Sequence, residues 1–190
     1  METIETMAQT TIQWTGTPRA DGTIAPGYTF NPWTGCEKVS AGCANCYAEA
    51  LMDNRYKKVI WGKHGTRVRT TPDYWRQPHK WQRACEVAGE RRKVFCASLA
   101  DVFEGRSDLV PWRKALWPII EKTTALDWLL LTKRPENVRL MYPRKWLKNP
   151  PRNVWLGTSV ENQATLNERL PKLRQCPAAV RFLSLSLIHI

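Results

Sequence analysis

Cys36, Cys43 and Cys46 are the residues whose type and spacing could do chemistry. They are spaced Cys36-x6-Cys43-x2-Cys46, within the segments NPWTGC (31–36) and CANCYAE (43–49). A two-residue spacer lets two thiolates turn toward one metal centre. Gly35 and Gly42 relieve the backbone of the longer loop that brings the third. Three thiolates are one short of a tetrahedral zinc site. They suffice for a four-iron cluster with one iron left open, where a cofactor can bind. Two readings follow: an iron–sulfur site, or a zinc site completed by a fourth ligand such as His64, His79 or Cys85. Cys85 lies in a helical pattern, Cys96 inside a strand and Cys176 in a late loop, so each reads as a packed thiol.

The elements that must position these thiols alternate between strand and helix. Strands are expected at 28–31, 93–97, 127–131, 153–157 and from 180 to 183. They are continuous apolar runs of the kind buried in a parallel sheet. Helices are expected at 46–56, at 73–90 with an interruption at Pro78, at 108–124, at 136–141 and at 162–173. Pro111 falls in the first turn of its helix, where proline is tolerated. Residues 1–27 read as an irregular lead-in, 57–71 as a basic loop and 142–152 as a Pro-rich connection. In folds of alternating strand and helix, chemistry collects at the C-terminal strand ends. Each strand here ends in polar residues: Ser98 and Asp101, then Thr132, Lys133 and Arg134, then Ser159 and Glu161. Ordinary capping explains any one of them, but three in a row beside the cysteine segment predict a shared site.

Composition bounds the setting. A chain of 190 residues, 43% hydrophobic and 24% charged, can bury the core of one ordinary domain. Its ten Trp read mainly as packing residues. No stretch approaches the roughly 20 apolar residues of a membrane span. The N-terminus carries Glu2 and Glu5 and has no basic, apolar leader pattern. The expectation is a cytoplasmic protein with no membrane partner. In that compartment six Cys argue for metal or reactive thiols over a disulfide framework. The net charge is +12, and the segment 55–93 holds twelve Lys and Arg against three acids. Such a bias fits a polyanion, most often nucleic acid, as well as it fits a solvated surface.

The motifs together resemble the phage and bacterial three-Cys-motif family of unknown function. The resemblance runs from the TFNPWTGC and CANCYAE segments through SLADVF (98–103), LTKRPE (131–136), VWLGTSVEN (154–162) and RFLSL (181–185). It covers roughly residues 12–185. The family is regarded as radical-SAM-like, and the resemblance implies an α/β fold that is a partial (β/α) barrel of radical SAM type. It places a 4Fe-4S cluster on Cys36, Cys43 and Cys46, with S-adenosyl-L-methionine (SAM) on the open iron. One-electron cleavage of SAM would then start hydrogen abstraction from an unknown substrate. The resemblance further places Tyr47 near the adenine, Ser98 and Asp101 near the SAM amino group, and Lys133 or Arg134 at its carboxylate. Ser159 and Glu161 fall near the ribose hydroxyls. A three-Cys-motif partner protein is also implied. Two features depart from the usual radical SAM pattern of C-x3-C-x2-C. The first gap is longer here, and Asn45 stands where an aromatic residue usually precedes the third Cys.

The expected organisation is a lead-in at 1–27, a partial barrel at 28–185 with its cluster loop at 32–49, and a non-native tail at 185–190. Five strands leave a barrel open, so truncation at the C-terminus is expected, and the last six residues resemble a translated sequencing adapter. Two functions compete with a radical SAM enzyme: a zinc-stabilised nucleic-acid-binding module, and a protein that keeps its cluster for structure alone.

Overall fold

The computed structural model describes residues 9–10 and 12–185. The first eight residues of the lead-in and residues 186–190 of the expected tail lie outside the described residues. Short strands come first: β1 (Gln9–Thr10), β2 (Thr17–Pro18), β3 (Ile24–Ala25), β4 (Gly27–Thr29), β5 (Trp33–Thr34) and β6 (Val68–Arg69). Longer strands follow: β7 (Arg92–Cys96), β8 (Leu126–Thr132), β9 (Val154–Val160) and β10 (Val180–Leu185). The helices are α1 (Tyr47–Glu49), α2 (Pro72–Trp75), α3 (Gln77–Ala88), α4 (Val110–Lys122), α5 (Pro135–Met141), α6 (Arg144–Lys148) and α7 (Gln163–Arg174). α1 continues as a wider π-helical stretch over Ala50–Arg55.

The main sheet has the order β1-β4-β7-β8-β9-β10. β4, β7, β8, β9 and β10 run parallel, and β1 pairs antiparallel with β4 at the edge. Each parallel strand of this sheet lies beside the next one in the sequence, so all their C-terminal ends open on one rim. Two small antiparallel pairs, β2–β3 and β5–β6, lie outside this sheet.

The strands β8 and β9 are buried along almost their whole length, so both faces are covered. One face packs an aromatic core. Phe30 sits edge-on to Trp75, Trp81 and Trp128, and Tyr28 stacks on Trp81 at 4.5 Å. Six of the ten Trp are buried, which fits their reading as packing residues. Trp128 donates to Thr123 and Trp146 to Glu121.

Helix ends follow local chemistry. The helical stretch expected at 73–90 is two helices that break at Arg76. Pro78 lacks an N–H and crowds the carbonyl four residues earlier. α3 stops at Gly89, whose φ of 64° closes the last turn with bonds to Cys85 and Glu86. α7 opens with a reciprocal cap between Asn162 and Thr165. α6 lies inside the connection expected to be irregular, and β2, β3 and β6 lie in segments expected to be loops.

Candidate active site at the C-terminal strand ends

The cysteine loop hangs over the rim of the parallel sheet and is tied to three strand ends. At its start, Gly35 donates its N–H to the Leu99 carbonyl at 3.0 Å. Its φ is 110°, and an added Cβ would lie 2.6 Å from the Thr66 carbonyl oxygen, so glycine is required there. Further along, Ser40 donates to Glu161 at 3.1 Å. Gly42 lets the loop press onto that same carboxylate: a Cβ would come within 2.2 Å of Glu161 Cγ. The middle tie is Arg134, which donates to the Glu37 carbonyl at 2.8 Å, to Asp101 Oδ2 at 3.0 Å and to Cys36 Sγ at 3.7 Å.

After Cys46 the chain turns into α1. Tyr47 is exposed, yet its hydroxyl donates to the Ser98 carbonyl at 2.6 Å. Lys38 bridges back to Glu49 at 2.7 Å, and this bond, helped by the nearby Cys43 and Cys46, raises its pKa. Loop and helix therefore face the strand ends across a cavity of about 580 Å³. Cys36, Cys43 and Cys46 line it, all as free thiols. The strand ends contribute Ser98, Asp101, Thr132, Lys133, Arg134, Ser159 and Ser184 to the same lining. Ile12 and Trp14 of the lead-in complete the lining. A larger cavity of about 650 Å³ lies beside α4, α5 and α6, but it contains none of the three thiols.

The expected site residues thus converge, but they are not equally available. Asp101 is buried and accepts from Thr132 Oγ1, from the backbone N–H groups of Phe103 and Lys133, and from Arg134. Arg134 is also buried. Burial opposes its charge, but Asp101 and Cys36 outweigh that and hold its pKa above the usual value. Lys133 makes no ion pair among the described residues. Glu161 has other partners than the ribose hydroxyls expected. Its side chain is closed off from solvent by Arg169, at 2.9 Å, and by Ser40. Burial works against the Glu161 charge, and those two partners still hold its pKa below the carboxylate range. Ser98, Ser159 and Tyr47 do face the cavity.

Several residues of the site were not singled out from sequence. Asn31 receives the Leu99 N–H at 2.8 Å and donates to Ser98 Oγ at 3.0 Å, so it fixes the end of β7. It follows β4 just as Ser98 follows β7, and the same strand-end argument finds it. Arg169 lies on the buried side of a helix, where no pattern marks it. A second buried pair, Arg67 with Glu104, braces the loop after the site, with Arg67 also donating to the Thr66 and Gly62 carbonyls.

The donor set fits an iron–sulfur cluster in kind. It consists of three free, soft thiols lining one cavity, with a guanidinium at one of them. Burial pushes the Cys36 thiol up to about 12, Asp101 adds to the rise and Arg134 opposes it. Metal binding there must release a proton. Among the described residues, no three Cys, His, Asp or Glu side chains converge as a set for a single metal ion. Neither the three thiols alone nor the three with His64, His79 or Cys85 form such a set, and Cys85 is buried within α3. A cluster makes a different demand, because each thiolate binds a separate iron.

Among the described residues, no helix is long and apolar enough to cross a membrane. No curated protein has significant sequence similarity to the chain. Among solved structures, the fold is similar to spore photoproduct lyase. A double mutant of that enzyme, with bound AdoMet and dinucleoside spore photoproduct, aligns with a TM-score of 0.56 and 19% identity, over 83% of this chain and 44% of that one. A tyrosine-to-phenylalanine mutant aligns with a TM-score of 0.55 and 18% identity, over 85% and 45%. The chain therefore spans less than half the length of these structures, and at this identity the likeness is one of fold. The family model described as "Protein of unknown function (DUF5131)" matches residues 9–188, and the chain belongs to that family.

Proposed function

We propose that the chain is a radical SAM-type enzyme in which Cys36, Cys43 and Cys46 hold a 4Fe-4S cluster with one iron open to SAM, on a partial (β/α) barrel. When bound, cluster and SAM together supply the one-electron cleavage of a sulfonium that starts hydrogen abstraction from a substrate. The observation that carries this reading is that three free thiols line one cavity at the C-terminal ends of parallel strands. The fold likeness to a protein whose structure contains bound AdoMet supports it.

The chain's own residues divide the work. Arg134 and Asp101 act as positioning residues. They fix the first half of the cysteine loop against β8, and Arg134 puts positive charge at Cys36. Of the two cations expected at the SAM carboxylate, Lys133 is the one that makes no ion pair among the described residues. Ser98 and Ser159 offer polar groups for the amino and ribose groups. Trp14, Phe95 and Tyr47 supply apolar and aromatic wall that keeps water from the centre. Glu161 acts from behind the loop by holding Ser40.

The test is reductive SAM cleavage by the anaerobically reconstituted protein, read as 5′-deoxyadenosine formed after addition of dithionite. Formation of 5′-deoxyadenosine without added substrate is expected. Lys133→Met is expected to weaken SAM binding roughly tenfold to a hundredfold, the worth of a hydrogen bond to a charged group, with iron content unchanged. A fully loaded cluster that never cleaves SAM would reduce the site to a structural one.

A further inference from the structure

The basic bias of segment 55–93 is not one patch. Arg67 is buried against Glu104, Arg76 pairs with Asp73, Arg91 with Asp127 and Arg92 with Glu90. The densest cluster that remains lies at 54–64, which contains no acid and carries Arg55, Lys57, Lys58 and Lys63. All four are exposed, and none makes an ion pair among the described residues.

This stretch has a particular shape. It leaves the π-helical end of the cysteine helix, where Tyr56 and Lys58 donate their N–H groups to the Leu51 and Met52 carbonyls. Lys57 takes a left-handed conformation, φ 52°, that turns the chain outward. Tyr56 is half exposed. The Arg55 guanidinium lies 5.5 Å from its ring centre and the Lys58 ammonium 5.6 Å. The next turn runs to the cavity: Trp61, held by Asp53 at 2.7 Å, lines it, and Gly62 donates to the Cys36 carbonyl at 2.9 Å.

We infer that this turn is a docking surface for single-stranded nucleic acid, with Tyr56 and Arg55 as the stacking platform and Lys57, Lys58 and Lys63 as the phosphate-binding cations. Exposed aromatic rings and guanidinium planes beside clustered cations are what unpaired bases and their backbone bind. A strand held there passes the cavity mouth at Trp61. A bilayer is a poorer fit, since Ala48, Met52 and Val59 are buried and Ile60 is the one aliphatic side chain exposed at 54–64, too little for an apolar face. The inference adds a substrate class to the reading above, but the binding itself needs neither cluster nor SAM.

The experiment is fluorescence anisotropy of the full chain with a short labelled single-stranded oligonucleotide, DNA and RNA in turn, over a salt series and without SAM. Saturable binding is expected, weakening with salt. K57E/K58E should lower affinity at least tenfold and flatten the salt dependence by about 0.7 for each phosphate no longer neutralised. Tyr56→Ala should lower affinity about tenfold, and Tyr56→Phe, which keeps the ring, should retain it. K114E/K148E makes the same charge change at exposed positions elsewhere and should have a much smaller effect. Melting curves and iron content of each variant separate loss of binding from loss of fold or cluster. An equal loss in K114E/K148E, indifference to K57E/K58E and Tyr56→Ala, or binding of phosphatidylserine vesicles in place of the oligonucleotide would each overturn the inference. None of these results would bear on the cluster.

Discussion

Arg134 reaches the Cys36 thiol, the Glu37 carbonyl and the Asp101 carboxylate with one guanidinium, so the first cysteine is placed by β8 as much as by its own loop. Arg134→Leu leaves Asp101 buried without its cation. The expected cost is about 3–5 kcal/mol of stability, the range for a broken buried pair, read as a lower urea midpoint, together with reduced iron loading. Gly42 makes a second residue-scale test. In Gly42→Ala the new methyl meets Glu161, which Arg169 and Ser40 hold in place. The loop must shift, at about 1–3 kcal/mol, and cluster loading should fall while circular dichroism stays unchanged. The three cysteines and their two glycines were legible from spacing. The commitments of Asp101, Arg134 and Glu161 were not. A strand-end acid or base looks the same in sequence whether it faces a ligand or is used up by a neighbour distant in the chain.

At the scale of elements, the five parallel strands were legible as runs rich in apolar residues, most plainly β8, whereas the short pairs β2–β3 and β5–β6 carry no such run. Helix α6 was not, since Pro143, Pro150 and Pro151 signal a connection and only the seating of Trp146 in the core reveals a helical turn between them. The break at Arg76 follows from Pro78, whose effect was located but whose extent was not. Element ends also give measurable energies. Asn162→Ala removes half of the reciprocal cap on α7 and should cost about 1 kcal/mol in chemical denaturation. The β2–β3 hairpin is tied to the start of β7 through Glu90, which accepts from Arg19 and Arg92. Chiefly the bond from Arg19, with Arg92 adding to it, holds the Glu90 carboxyl down at about 2. A depressed carboxyl contributes stability above its unfolded value, near 4.5, and loses it as pH falls through about 2. The pair is partly exposed and so modest in size. Glu90→Gln should therefore be less stable than wild type at neutral pH, and the difference should vanish as pH falls to about 2.

Taken as a whole molecule, the fold gathers residues from Ile12 to Ser184 around one cavity, and the candidate site depends on that gathering more than on any short motif. The strand order explains why. With β4, β7, β8, β9 and β10 parallel and in sequence order, every strand end contributes to the same rim, and the cysteine loop between β5 and β6 closes over it. The central claim is that the three thiols hold an open-iron cluster. The most direct test is anaerobic reconstitution followed by iron and zinc analysis and electron paramagnetic resonance of the reduced protein, with and without SAM, for wild type and Cys43→Ala. The account predicts about four irons per chain, a signal that SAM alters, and loss of both in Cys43→Ala. Stoichiometric zinc without iron, or a full cluster surviving in Cys43→Ala, would contradict it.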